Sequence, residues 1–205
     1  MSDPCAGLTS SDQPTPARPR ILVWLAEGAR ELTWALCSLP RERWAVAPPA
    51  RLATWPALRH VRHLALRESR LTLPVVRYLM GELPLEALPS VADFEREDAA
   101  WEGVVAADAA DTFIAELNTT RFELLQRLEA GPDDLWETKL PHSAAHAGAS
   151  KPVSLNQLMQ RARQHELEHL AALWRIALYW DAISPALSGS TGVRLHPADR
   201  LEESH

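Results

Sequence analysis

The chain has 205 residues, 46% of them hydrophobic and 23% charged, with a net charge of −6, which is the profile of a globular chain long enough to bury a full core. The acidic balance argues against a nucleic-acid partner, which would favour a basic face. With Cys5 and Cys37 as its only cysteines, the chain cannot rest on a disulfide framework or a cysteine-based zinc site.

Residues 1–18 are rich in Pro, Ser and Thr without periodicity, and are expected to form a disordered lead-in to a single domain over 19–184. They carry no basic-then-apolar leader pattern, and no apolar run approaches ~20 residues, so the expected location is cytoplasmic with no membrane partner. Low glycine content and abundant Ala, Leu, Arg and Glu favour an all-α chain.

A first helix is expected over about 20–38, with Ile21, Leu22, Leu25, Leu32, Leu36 and Leu39 as its apolar stripe and Pro40 as its stop. After a Pro-stiffened loop, Thr54 is a candidate N-cap for a second helix running from Pro56 to Met80, with Gly81 as its end signal. Pro74 predicts a kink or local break inside it. The acidic, Pro-containing stretch 82–103 is then read as a crossover, long for neighbouring antiparallel helices but long enough to let the third helix run parallel to the second. That third helix is expected over 105–129, burying Phe113, Ile114, Leu117, Phe122, Leu124, Leu125 and Leu128. A second long loop, 131–153, contains Trp136, His142 and His146. Ser154 and Gln157 form a capping-box pattern that opens a fourth helix reaching about Ile183, before a loose tail over 185–205. Four amphipathic helices with two long connections read as a four-helix bundle.

The fourth helix carries the chemistry. His165 and His169 stand four apart, which at ~3.6 residues per turn leaves them roughly 40° apart on one face. That face is shared with Leu158, Ala162, Ala172, Leu173 and Ile176, so the imidazoles point into the core. Buried imidazoles need partners, and a stacked pair can bind one divalent ion. The bland alternative is a pair of core histidines bonded to Glu166 or Glu168. A third ligand is sought on the second helix, where both His60 and His63 are available. The helical wheel prefers His60, which lies nearer the apolar arc.

Trp55, His63-Leu64-Ala65 and Glu68 on the second helix, with His165-x-x-x-His169 ahead of an apolar run on the last, resemble the DinB/YfiT-like superfamily. The resemblance spans about residues 20–183. It implies an up-down-down-up bundle with a long crossover between helices 2 and 3. It also implies a divalent metal (Zn, Ni or Fe) held by His63, His165 and His169, selecting His63 over His60. Arg59, Arg62, Arg67 and Arg70 make the second helix more basic than that pattern, and the acidic crossover is the candidate to answer their charge.

Three imidazoles would leave positions open for water or substrate. The resemblance implies a metal-dependent enzyme of the low-molecular-weight-thiol S-transferase or hydrolase type, with a small thiol as cofactor. In that reading the 131–153 loop is the natural lid, bringing Trp136, His142 and His146 to a small-molecule substrate. A non-catalytic, dimeric metal-binding or stress-response bundle is the alternative. His165-Glu166-Leu167-Glu168-His169 also satisfies H-E-x-x-H, which would make Glu166 the catalytic base of a zincin-like peptidase. No further ligand follows at the metzincin spacing. Trp24, Trp34, Trp174 and Trp180 on the first and last helices suggest a homodimer, since Trp is enriched at interfaces.

Overall fold

The computed structural model describes residues 18–101, 109–140 and 152–187, and among them the secondary structure is helical, without strands. The helices are α1 (Arg18–Cys37), α2 (Ala57–Arg67), α3 (Leu73–Leu79), α4 (Val91–Ala99), α5 (Ala110–Ala130) and α6 (Leu155–Leu187). One isolated bridge pairs Lys139 with Ser154. Among the described residues no helix is long and apolar enough to cross a membrane. The expected lead-in lies outside the described residues apart from Arg18, which opens α1. The expected tail lies outside them beyond Leu187. Residues 185–187 are still helical, so Pro185 does not end the helix as expected.

The second predicted helix is present as α2 and α3 joined by a π-helical turn over Glu68–Thr72. Pro74 explains the turn. It cannot donate to the carbonyl four residues back, and widening the helix by one residue relieves the clash; Leu73 N–H bonds Glu68 O instead. Thr54 does not cap α2: Pro56 stands at that position with no side-chain cap, and the α2 backbone is anchored by Leu58 N–H donating to Trp44 O at 2.9 Å. At α6 the expected capping box forms reciprocally, with Ser154 N–H on Gln157 Oε1 (3.0 Å) and Gln157 N–H on Ser154 Oγ (3.3 Å).

The crossover contains a helix that periodicity does not reveal. Ser90 caps α4 through the Asp93 N–H at 3.1 Å. Its C-terminal end answers the basic face of α2: Arg62 donates to Glu97 O at 2.9 Å, and Arg70 pairs with Glu97 at 3.0 Å.

Two large apolar clusters and a small one of Leu66, Leu71 and Phe94 fill the interior. One large cluster gathers Ile21, Leu25, Val76, Leu128, Trp136 and Met159, the other Leu32, Leu36, Leu58, Val61, Leu117 and Ile176. Between these two lies a charged layer. Arg121 donates through Nε and Nη2 to Glu68 (2.7–2.9 Å), through Nη1 to Leu25 O, and reaches Glu166 at 3.5 Å. Burial acts against the Arg121 cation, but Glu68 and Glu166 outweigh it and hold its pKa above the ordinary value. Phe122, expected in the core, is 63% exposed. The inward phase of α5 is Leu117, Arg121, Leu124 and Leu128, and Phe122 lies roughly 100–160° away from each of them, at ~100° per residue.

Candidate metal centre

α2 and α6 face each other through four imidazoles. His63 Nε2 lies 3.0 Å from His165 Nε2, and His169 Nε2 lies 3.1 Å from the same atom. The nearest nitrogens of His63, His165 and His169 all fall within 4.8 Å of one another, and the three could hold a metal ion. The structure therefore brings together the set implied by the family register, with His63 rather than His60 in it.

The two separations from His165 fit an ion. Two nitrogens bound at about 2.0–2.1 Å and subtending tetrahedral or octahedral angles are about 2.9–3.4 Å apart. The hydrogen-bond inventory points the same way. A ring nitrogen offers either one proton or one lone pair, so His165 Nε2 can satisfy only one of its two neighbours without a cation.

Each of the three rings has its other nitrogen backed from behind. Asp98 of α4 places Oδ2 3.1 Å from His63 Nδ1, off the line of an ideal hydrogen bond but within contact distance. Glu168 Oε2 stands 3.6 Å from His165 Nδ1. His169 Nδ1 lies 2.7 Å from His60 Nδ1, whose Nε2 is 2.8 Å from Thr54 Oγ1. With Nε2 of His169 turned to an ion, its Nδ1 proton donates to His60, and the His60 Nε2 proton donates to Thr54. Such outer partners fix the tautomer and orientation of ligating imidazoles. His60 thus supports the set without belonging to it.

Aromatic rings enclose the cluster. Trp55 lies 5.3–5.8 Å from the rings of His60, His63 and His169, and Phe94 of α4 meets His63 edge-on at 5.5 Å. Burial is the main reason that the pKa values of His60 and His165 are lowered to about 4, and it drives His169 lower still, reinforced by the neighbouring histidines and by Arg67 or Arg175. These imidazoles are therefore neutral at pH 7, the form that ligates metals. Burial pushes the Asp98 carboxyl up, but His63, Arg62 and Arg59 outweigh that and hold it below the usual carboxylate range.

Glu166 points elsewhere. It is 2% exposed, its carboxylate lies against Arg121 (3.5 Å) and Arg163 (3.6 Å), and burial raises its pKa. Trp136 packs in the apolar cluster with Ile21, Leu128 and Met159 and is 3% exposed, so it is not available to a substrate as the lid reading required. His142 and His146 lie outside the described residues. A cleft of about 550 Å³ reaches His169 and His60 from the other side, lined by Ala50, Ala53, Thr54, Trp55, Ala172 and Arg175.

Asp98, Thr54 and the supporting role of His60 were not evident from sequence. The acidic run Glu95–Asp98 behind a Ser90 cap was the available signal for the first.

The chain matches no family model, and neither the curated proteins nor the solved structures supply a match.

Proposed function

We propose that the chain is a DinB-like metal-binding protein in which His63, His165 and His169 hold one divalent ion (Zn, Ni or Fe) through their Nε2 atoms. The observation that carries this reading is the convergence of three imidazoles with each Nδ1 backed by a second residue. An ion so held supplies Lewis acidity and lowers the pKa of an acid bound to it.

The helices are proposed to form an up-down-down-up four-helix bundle, with α2 and α3 acting as one element. Support comes from the pairings. Arg18 meets Leu128 O and Asp133 while Arg41 meets Asp111, which sets α1 against α5. His60 with His169 and His63 with His165 set α2 against α6, whereas Gly28 beside Glu166 and Trp34 beside Trp174 run α1 along α6.

The reaction class proposed is low-molecular-weight-thiol S-transfer or hydrolysis in the cytoplasm. Its support is the open cleft at His169, which a purely structural ion would not require. In this reading Asp98 and His60 orient the ligating rings, and Trp55 and Phe94 exclude water from them. Glu166 is proposed as part of the buried Arg121 layer rather than a base, since its contacts are arginines; this leaves the peptidase reading without its acid–base residue. Calorimetry with a panel of small bacterial thiols tests the proposal. Binding to metal-loaded protein, weakened or lost on metal removal, supports it; equal binding to both forms moves the reading to the non-catalytic bundle.

A homodimer through α1 and α6 is also proposed. Trp34 and Leu178 are 67% and 66% exposed, and Trp34 meets Trp174 edge-on at 5.0 Å. Trp is enriched at such interfaces.

A further inference from the structure

The cleft beside the four imidazoles has walls of unequal character. Trp55, Ala53 and Ala172 make an apolar floor and sides, while Arg175 enters from α6, two turns beyond Glu168. Across the described residues most arginines near the core have carboxylate partners: Arg62, Arg70, Arg121 and Arg163 pair with Asp98, Glu97, Glu68 and Glu31. Arg175 has no ion pair or hydrogen bond there. The Arg59 guanidinium lies 4.4 Å over the Trp55 ring with its Nε buried and unpartnered. The one acid at the cleft, Glu168, is largely exposed and contacts Gln164 (3.3 Å) and His165 (3.6 Å) rather than Arg175. Arg175 thus brings a cation to the lining of the cleft, in a chain whose net charge is negative.

We infer that this cleft binds a small organic carboxylate, with Arg175 taking the carboxylate group and Trp55 the apolar body. The inference names the substrate class of the proposed metal site and rests on that reading for what happens at the ion, although carboxylate binding itself requires only the cleft. A guanidinium meets a carboxylate through two parallel N–H···O bonds, which suits Arg175 to an orienting role. The part of Trp55 that lines the cleft, with the methyl groups of Ala53 and Ala172, offers apolar contact to a flat or branched hydrocarbon portion beside His169. A volume of about 550 Å³ is within the range of small-ligand sites and far exceeds an inorganic anion.

Calorimetry with benzoate, benzamide and inorganic phosphate on wild type and Arg175→Gln tests this, using both metal-loaded and metal-stripped protein. Arg175 is exposed, so the variant should fold and keep its metal content. Benzoate is expected to bind wild type at least roughly tenfold more tightly than benzamide, and Arg175→Gln to lose about the same factor, the scale of one charge-assisted pair. Binding that survives metal stripping but not Arg175→Gln supports the inference even if the metal assignment fails. Benzoate affinity unchanged in Arg175→Gln overturns it, as does equal binding of benzamide. Phosphate binding as tight as benzoate would also overturn it, by showing a general anion site. Metal retained with no benzoate binding sinks this inference and leaves the metal assignment standing.

Discussion

Gly28→Ala separates the two roles open to Glu166. A Cβ at Gly28 would sit 1.8 Å from Glu166 Oε1, 2.4 Å from its Cδ and 2.6 Å from Arg163 Nη1. Ordinary contact needs about 3.5 Å, so the carboxylate must move by more than about 1 Å. It is 2% exposed and held between two arginines, so it cannot swing into water. Overpacking of this kind costs about 1–3 kcal/mol, and loosening a buried ion pair adds to it, although Arg121 keeps Glu68. Replacing a helical glycine by alanine offsets about 1 kcal/mol. The expected net is a destabilisation of about 1–3 kcal/mol, a fall in melting temperature of roughly 2–12 °C for a domain of this size. Thermal and urea denaturation of Gly28→Ala, Glu166→Ala and the double variant form a cycle. With the carboxylate gone, Arg163 can take the vacated space and the alanine becomes neutral or stabilising, giving a coupling of about 1–3 kcal/mol. A Gly28→Ala protein at least as stable as wild type, or zero coupling, would refute the packing argument and reopen a mobile, catalytic Glu166.

Asp98→Ala, which removes the charge behind His63, should weaken metal binding about 10–100-fold without abolishing it; chelator competition measures this, and a change under twofold would contradict it. His60→Ala should cost about tenfold by the same assay, because it frees His169 Nδ1, whereas complete loss of metal would make His60 a ligand. Metal-free protein should lose stability on acidification. Its His60, His165 and His169 sit at about 4 or lower, below the unfolded value of about 6.5, so the unfolded chain binds more protons between those pH values. Stability is then full above about pH 6.5 and falls as pH drops towards 4. Glu166, raised by burial, works the other way, but as one carboxyl against three imidazoles. Urea midpoints equal at pH 7.5 and 5 would contradict this.

Periodicity made most of the helices legible because each buries a stripe. The stripe of α1 is buried as read except for Leu22, which is half-buried. It failed where a polar group holds an inward position: Arg121 occupies the core phase of α5, so hydrophobicity alone pulled Phe122 inwards. α4 was hidden because a helix that buries only Phe94 and Asp98 leaves no stripe to read. At the site, His165 and His169 were legible from spacing on one helix. His60 and His63 were not separable by burial, since both are buried; what separates them is which ring reaches His165, a tertiary fact. Asp98 and Thr54 come from elements far from the histidines in sequence or outside the helix, and local pattern carries no sign of such approaches. Thr54 was assigned to a cap because its hydroxyl could serve there, but His60 takes it instead.

Metal content bears most directly on the central claim. Wild-type protein purified and then loaded with zinc or nickel should hold about one ion per chain by elemental analysis, and His165→Ala/His169→Ala, its folding checked by circular dichroism, should hold none. A folded double variant that retains one ion per chain would contradict the assignment of His63, His165 and His169 as the metal-holding set.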